Sequence, residues 1–120
     1  MTKILVIEDN AKNRYLISFI LKGAGYEVIE AITGEEGVGM AMSEHPDLVL
    51  MDIQLPGIDG YEATRRIWAS PAGGKLPIIA LTSYAMTGDR ERALAAGCAG
   101  YIEKPLNPDT IIGEIQKYLR

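Results

Sequence analysis

The chain has a single cysteine, Cys98, among its 120 residues, so no internal disulfide can form. Its neighbours are alanine and glycine, which supply neither a base nor a metal ligand, and the thiol reads as a small apolar filler. Long hydrophobic runs are also missing. The longest, such as Ile4 to Ile7 and Leu48 to Met51, fall far short of the ~20 apolar residues that cross a bilayer. Positive charge is in deficit: Lys and Arg number 12 against 16 Asp and Glu, a net −4, which argues against nucleic acid as a partner. The first residues show no apolar core followed by a small-residue cleavage site, so a cytoplasmic home is expected.

What is present is the balance of a globular protein, 48% apolar and 23% charged. A chain of this length buries roughly two-thirds of its unfolded surface and is expected to form one domain over residues 1–120. No stretch is long or simple enough to be a linker, and no internal repeat is visible.

Five short apolar runs alternate with helical patterns: Lys3 to Ile7, Glu27 to Ala31, Asp47 to Met51, Pro77 to Leu81 and Gly100 to Ile102. The first, third and fourth are nearly continuous in Ile, Leu and Val, as parallel strands covered on both faces must be. The second and fifth are shorter or more mixed and suit sheet edges. Right-handed crossovers then make a doubly wound α/β fold, a (βα)5 five-stranded parallel sheet in the order 2-1-3-4-5 of the flavodoxin-like class.

The helices are delimited by their ends. Asn10 suits the N-cap of a helix with Ile17, Ile20, Leu21 and Ala24 on its apolar side, and Gly25 fits just past it. Thr33 to Glu36 forms a capping box, and Asp59 with Glu62 a weaker one ahead of Ala63, Ile67 and Trp68. Thr87 precedes a helix from Arg90 to Ala96 closed by Gly97, and Asn107-Pro108 opens the last, with Ile111, Ile112, Ile115 and Leu119 inward. Gly37 and Gly39 weaken the second helix by up to ~1 kcal/mol each. Gly73 and Gly74 read as loop, His45 as an exposed side chain, and Trp68 as boundary packing.

In open parallel sheets ligands bind beyond the carboxyl ends of the strands. The first run ends in Glu8 and Asp9, the third in Asp52 and the fourth in Thr82 and Ser83, while the fifth leads into Lys104 and Pro105. Alone, each would be a solvated side chain or a helix cap. Converging at one crevice, they make a pocket of carboxylates with a hydroxyl and an ammonium. Close carboxylates repel, and a divalent cation with oxygen ligands relieves the conflict; Mg2+ suits such a set. Asp52 could then act as a covalent nucleophile toward phosphorus, with Lys104 stabilising charge and Thr82 donating to a phosphoryl oxygen.

These residues carry a resemblance to the response-regulator receiver domains of two-component signalling. It covers essentially the whole chain, through Ile4 to Asn10, Pro46 to Gly60, Leu81-Thr82-Ser83, and Gly97-Cys98 leading to Tyr101 to Pro105. The resemblance implies Asp52 as phosphoacceptor, Asp9 as a direct magnesium ligand, Glu8 as one acting through water, and Gln54 as one through its backbone carbonyl. It implies Thr82 and Lys104 as the phosphate-sensing hydroxyl and the ion-pairing base, Tyr101 as the switch aromatic, and a cis bond before Pro105. It further implies a sensor histidine kinase or histidine phosphotransfer protein as donor. The downstream effector or kinase would meet the face of the fourth helix, fifth strand and last helix, bordered by Tyr84, Ala85 and Met86. Gln54 and Tyr84 flank the expected route of water to the phosphoryl group and should tune its lifetime. Within the family the segments resemble a stand-alone cell-division type, and receivers of hybrid histidine kinases share them.

Two rival functions fit less well. A haloacid-dehalogenase-type phosphatase wants a second Asp two residues past the nucleophile, where this chain has Gln54, leaving no general acid. A receiver-like module that never carries phosphate would not call for Asp9, Asp52, Thr82 and Lys104 together.

Overall fold

The computed structural model describes residues 1–70, 75–82, 89–104 and 106–119. Strands and helices alternate along it as β1 (Lys3–Ile7), α1 (Ala11–Gly23), β2 (Glu27–Ala31), α2 (Gly34–Ser43), β3 (Leu48–Asp52), α3 (Gly60–Ala69), β4 (Ile78–Thr82), α4 (Asp89–Ala96), β5 (Gly100–Glu103) and α5 (Pro108–Gln116). The strands form one sheet in the order β2-β1-β3-β4-β5, all pairs parallel. The expected α/β architecture is therefore the observed one. β3 and β4 each begin and end one residue later than the apolar runs suggest, so Asp52 and Thr82 are the last residues of their strands.

Alternation along the strands divides the core in two. Leu5, Ile7, Val49, Met51, Ile78 and Ala80 pack with Ala41 of α2, Ala63 and Ile67 of α3, and Ala93 and Ala96 of α4. Ile4, Val6, Leu48, Leu50, Ile79 and Leu81 face the other way onto Ile17 and Leu21 of α1 and Ile111 and Ile115 of α5. Each buried Ile, Leu, Val or Met among them contributes roughly 1.5–3 kcal/mol by leaving water, and each Ala less. Both faces of β3 and β4 are buried, so apolar burial alone does not fix their register against a one-residue slip. Polar residues at the strand ends do: a slip would draw the Asp52 carboxyl into the apolar layer.

The helix ends follow the expected chemistry with two differences. Thr33 accepts from the Glu36 N–H at 3.0 Å, but Glu36 returns its carboxylate to the N–H of Ile32, one residue earlier than a reciprocal box would require. Asp59 accepts from the Glu62 N–H at 2.9 Å, while the Glu62 carboxylate turns outward to Arg65 and Arg66. Asn10 and Asn107 cap α1 and α5 through side-chain oxygens. Gly25 and Gly97 take positive φ as the helix-end glycines, and His45, exposed, adopts φ 51° between α2 and β3.

The second helix forms despite its glycines, and Gly37 has a packing reason: a Cβ there would overlap the side chain of Ile7, so glycine lets α2 sit close on β1. Ala24 is exposed rather than on the apolar side of α1, because the helix has already ended at Gly23. Trp68 is 40% exposed and ties the end of α3 to the β4 approach by donating to the Leu76 carbonyl at 3.1 Å. Gly73, Gly74, Ser83, Tyr84, Ala85, Met86, Thr87 and Pro105, with its expected cis bond, lie outside the described residues.

Candidate functional site

β1 and β3 are neighbours with Ile7 beside Met51, so the residues that follow, Glu8 and Asp52, emerge side by side at the carboxyl edge of the sheet. Asp9 leaves the strand next to them. One carboxylate oxygen from each of Glu8, Asp9 and Asp52 falls within 4.8 Å of the others. Glu8 and Asp52 are 0% and 3% exposed, whereas Asp9 opens to solvent. From beyond β5, Lys104 reaches back over β4 and sets its Nζ 2.5 Å from Glu8 Oε1 and 3.4 Å from Asp52 Oδ1. Its own N–H donates to the Thr82 carbonyl at 2.7 Å, which extends the β4–β5 pairing far enough to aim the side chain inward.

Two buried carboxyls facing one ammonium do not ionise alike. Burial pushes Asp52 up, and Glu8 beside it adds to the rise, bringing it to about 7. Burial opposes ionisation of Glu8 as well, but hydrogen bonds from Asp52, Lys104 and the Asn10 N–H outweigh it and hold Glu8 below its usual range. The metal-free pocket thus favours an ionised Glu8 beside a carboxyl at Asp52 that keeps its proton to near neutrality.

This donor set fits a hard dication. Three carboxylates at the carboxyl ends of two adjacent strands, one of them solvent-open, supply oxygen ligands of the kind Mg2+ prefers while it retains water. Asp9, exposed, and Asp52, once ionised, can each offer an oxygen directly. Both Glu8 oxygens are already engaged, Oε1 by Lys104 and Oε2 by the Asn10 N–H at 3.2 Å, which suits contact through water.

The other expected residues fall around this centre. The Gln54 N–H donates to Asp52 Oδ1 at 3.1 Å, fixing the carboxyl rotamer, and its side chain is exposed. Thr82 is buried at the end of β4, one residue past the partner of Asp52, with a polar contact of its own. Tyr101 is half-buried on β5 and packs against the core layer under α2, α3 and α4. The pairing of Lys104 with Glu8 in preference to Asp52 was not foreseen. Nor was Arg14, which donates to the carbonyls of Glu8 and Asp9; its one sequence signal is its place one helical turn past the Asn10 cap.

Fold and site together place the chain in a defined class: it belongs to the response regulator receiver domain family, matched over residues 4–116. It is thus a receiver domain of two-component signalling. Among relatives, it is 41% identical over 120 residues to the polar-differentiation response regulator DivK of Brucella ovis, covering 99% of this chain and 98% of that one. The receiver domain of a Pseudomonas aeruginosa sensor histidine kinase, solved with magnesium in its active-site cleft, is 40% identical with a TM-score of 0.91, over 98% of this chain and 96% of that one. The Vibrio cholerae chemotaxis protein CheY4 superposes with a TM-score of 0.94 at 29% identity, over 99% of both chains. Among the described residues no helix is long and apolar enough to cross a membrane.

Proposed function

We propose that the chain, as one cytoplasmic domain over residues 1–120, accepts a phosphoryl group on Asp52 from the phosphohistidine of a sensor kinase or phosphotransfer protein. The observation that carries this is the meeting of Glu8, Asp9 and Asp52 with Lys104 at one strand edge. Asp9 and Asp52 would hold Mg2+ directly, Glu8 through water and Gln54 through its carbonyl. Bound there, the ion supplies positive charge that lets a carboxylate and a phosphoryl group approach. An Asp52 oxygen attacks phosphorus as the P–N bond of the donor breaks, and the imidazole leaves with the bond's electron pair. Lys104 neutralises charge on the phosphoryl oxygens, and the Thr82 hydroxyl donates to one of them. The chain in this way assists its own phosphorylation and hydrolysis rather than turning over an external substrate.

The new charge, roughly −1.5 to −2, biases the packing of Thr82 and Tyr101, and the face made by α4, β5 and α5 reports it to an effector or kinase. A second placement, as a receiver within a hybrid histidine kinase, is favoured by the 40% identity to a kinase receiver, nearly equal to that with DivK. The test is incubation with acetyl phosphate and Mg2+ followed by intact mass. Wild type should gain one phosphoryl group and Asp52→Asn none; equal labelling of both would reject the assignment.

A further inference from the structure

We infer that Arg14 is a positioning residue whose guanidinium holds the backbone of Glu8 and Asp9 so that their carboxylates meet at the cation site, an inference resting on the assignment of that pocket as a Mg2+-dependent phosphoacceptor. Arg14 stands in the first turn of α1, where its N–H donates to the Asn10 carbonyl at 2.9 Å. Its Nη1 donates to the Glu8 carbonyl at 2.9 Å and lies 3.4 Å from the Asp9 carbonyl. On its other side Nε lies 3.4 Å from Glu30 Oε1 on β2, and Glu30 Oε2 accepts from Ser18 of α1 at 2.6 Å. One side chain, 20% exposed, therefore joins α1, the edge strand and the loop that bears two of the three acids.

The need for such a tie follows from where the sheet stops. The Glu8 N–H makes the last β1–β2 bond, to the Ala31 carbonyl at 3.0 Å. Beyond it the direction of the exposed Asp9 carboxylate depends on backbone angles that the sheet no longer fixes. A planar guanidinium with several donors can bridge two successive carbonyls and a carboxylate at once, which a lysine ammonium does poorly. Glu30 offsets its charge, so the cation that orients the acids is itself paired and competes less with a dication for them.

This pairing gives the test a sign. If Arg14 acted through charge alone, removing it would tighten cation binding. If it positions the loop, removal weakens binding. Mg2+ titrations of the intact protein, followed by the amide shifts of Asp9 and Gln54, should give a dissociation constant about tenfold weaker for Arg14→Met, and a smaller loss for Glu30→Gln. Arg14→Lys, which keeps the charge without the fork, should also bind more weakly, and it carries the test should Arg14→Met fail to fold. Unfolding in EDTA, run beside each titration, separates loss of fold from loss of site. With wild type binding, affinity within about twofold of it, or tighter, in the folded Arg14 variants overturns the inference alone. A wild type without Mg2+-dependent shifts overturns the site assignment and this inference with it.

Discussion

Replacing Asp52 with asparagine should stabilise the metal-free protein, and the gain should grow with pH. The carboxyl is 3% exposed, and its pKa, raised by burial and by Glu8 from 3.8 to about 7, means that the folded state holds this proton more tightly than the unfolded chain does. Its contribution to stability is therefore complete below the unfolded value of 3.8 and is lost as the pH climbs through about 7. At about 1.4 kcal/mol per pKa unit the ceiling is about 4 kcal/mol, and relaxation with water entry reduces the expected difference at pH ~8 to roughly 1–2 kcal/mol. Asparagine keeps an oxygen for the Gln54 N–H and gains an amide that can donate to Glu8, so packing changes little. Urea unfolding in EDTA at several pH values between about 4 and 8 measures this directly. Wild type should weaken across that window and Asp52→Asn should stay level; parallel curves would refute the charge argument. Added Mg2+ should reverse the order by stabilising wild type more than the variant.

Lys104→Met should leave two facing carboxyls without their ammonium and lower metal-free stability by about 1–3 kcal/mol at neutral pH, read by denaturant unfolding. Gly60→Ala should cost about 1–3 kcal/mol, because its Cβ would overlap the Asp52 carbonyl and crowd the Ile53 Cα, backbone that cannot turn aside. Gly37→Ala should cost less, since the obstacle is the Ile7 side chain, through Cδ1 and Cγ1, rather than backbone; a thermal-shift ranking of the two variants decides. Asn10→Ala should remove the cap on the Asn13 N–H and cost about 1 kcal/mol, visible as a lower melting temperature and faster amide exchange in the first turn of α1.

The strands and four helix starts were legible because their signals are local: continuous Ile-Leu-Val runs, and cap side chains that reach only two or three residues. Strand order needed the handedness rule and the contrast between the pure runs of β3 and β4 and the mixed ones of β2 and β5. The acids were visible as polar endings of apolar runs. What stayed hidden was set by tertiary contact. Gly37 reads as a weak point until Ile7 lies beneath it, and nothing in the order of residues says that Lys104 lies nearer Glu8 than Asp52. Arg14 gave only its place one helical turn past the Asn10 cap, because two of its partners are carbonyl oxygens, which every residue possesses, and the third, Glu30, comes near only through the fold.

The ion pair between Lys104 and Glu8 joins residues 96 positions apart, almost the full span of the chain. A ribosome-bound chain carries Glu8, Asp9 and Asp52 long before the ammonium that neutralises them emerges. Until β5 docks, the acids lack that counter-charge, so competence to receive a signal should arrive late and abruptly in biosynthesis. Half-made copies would then be spared from drawing on a kinase's phosphoryl supply.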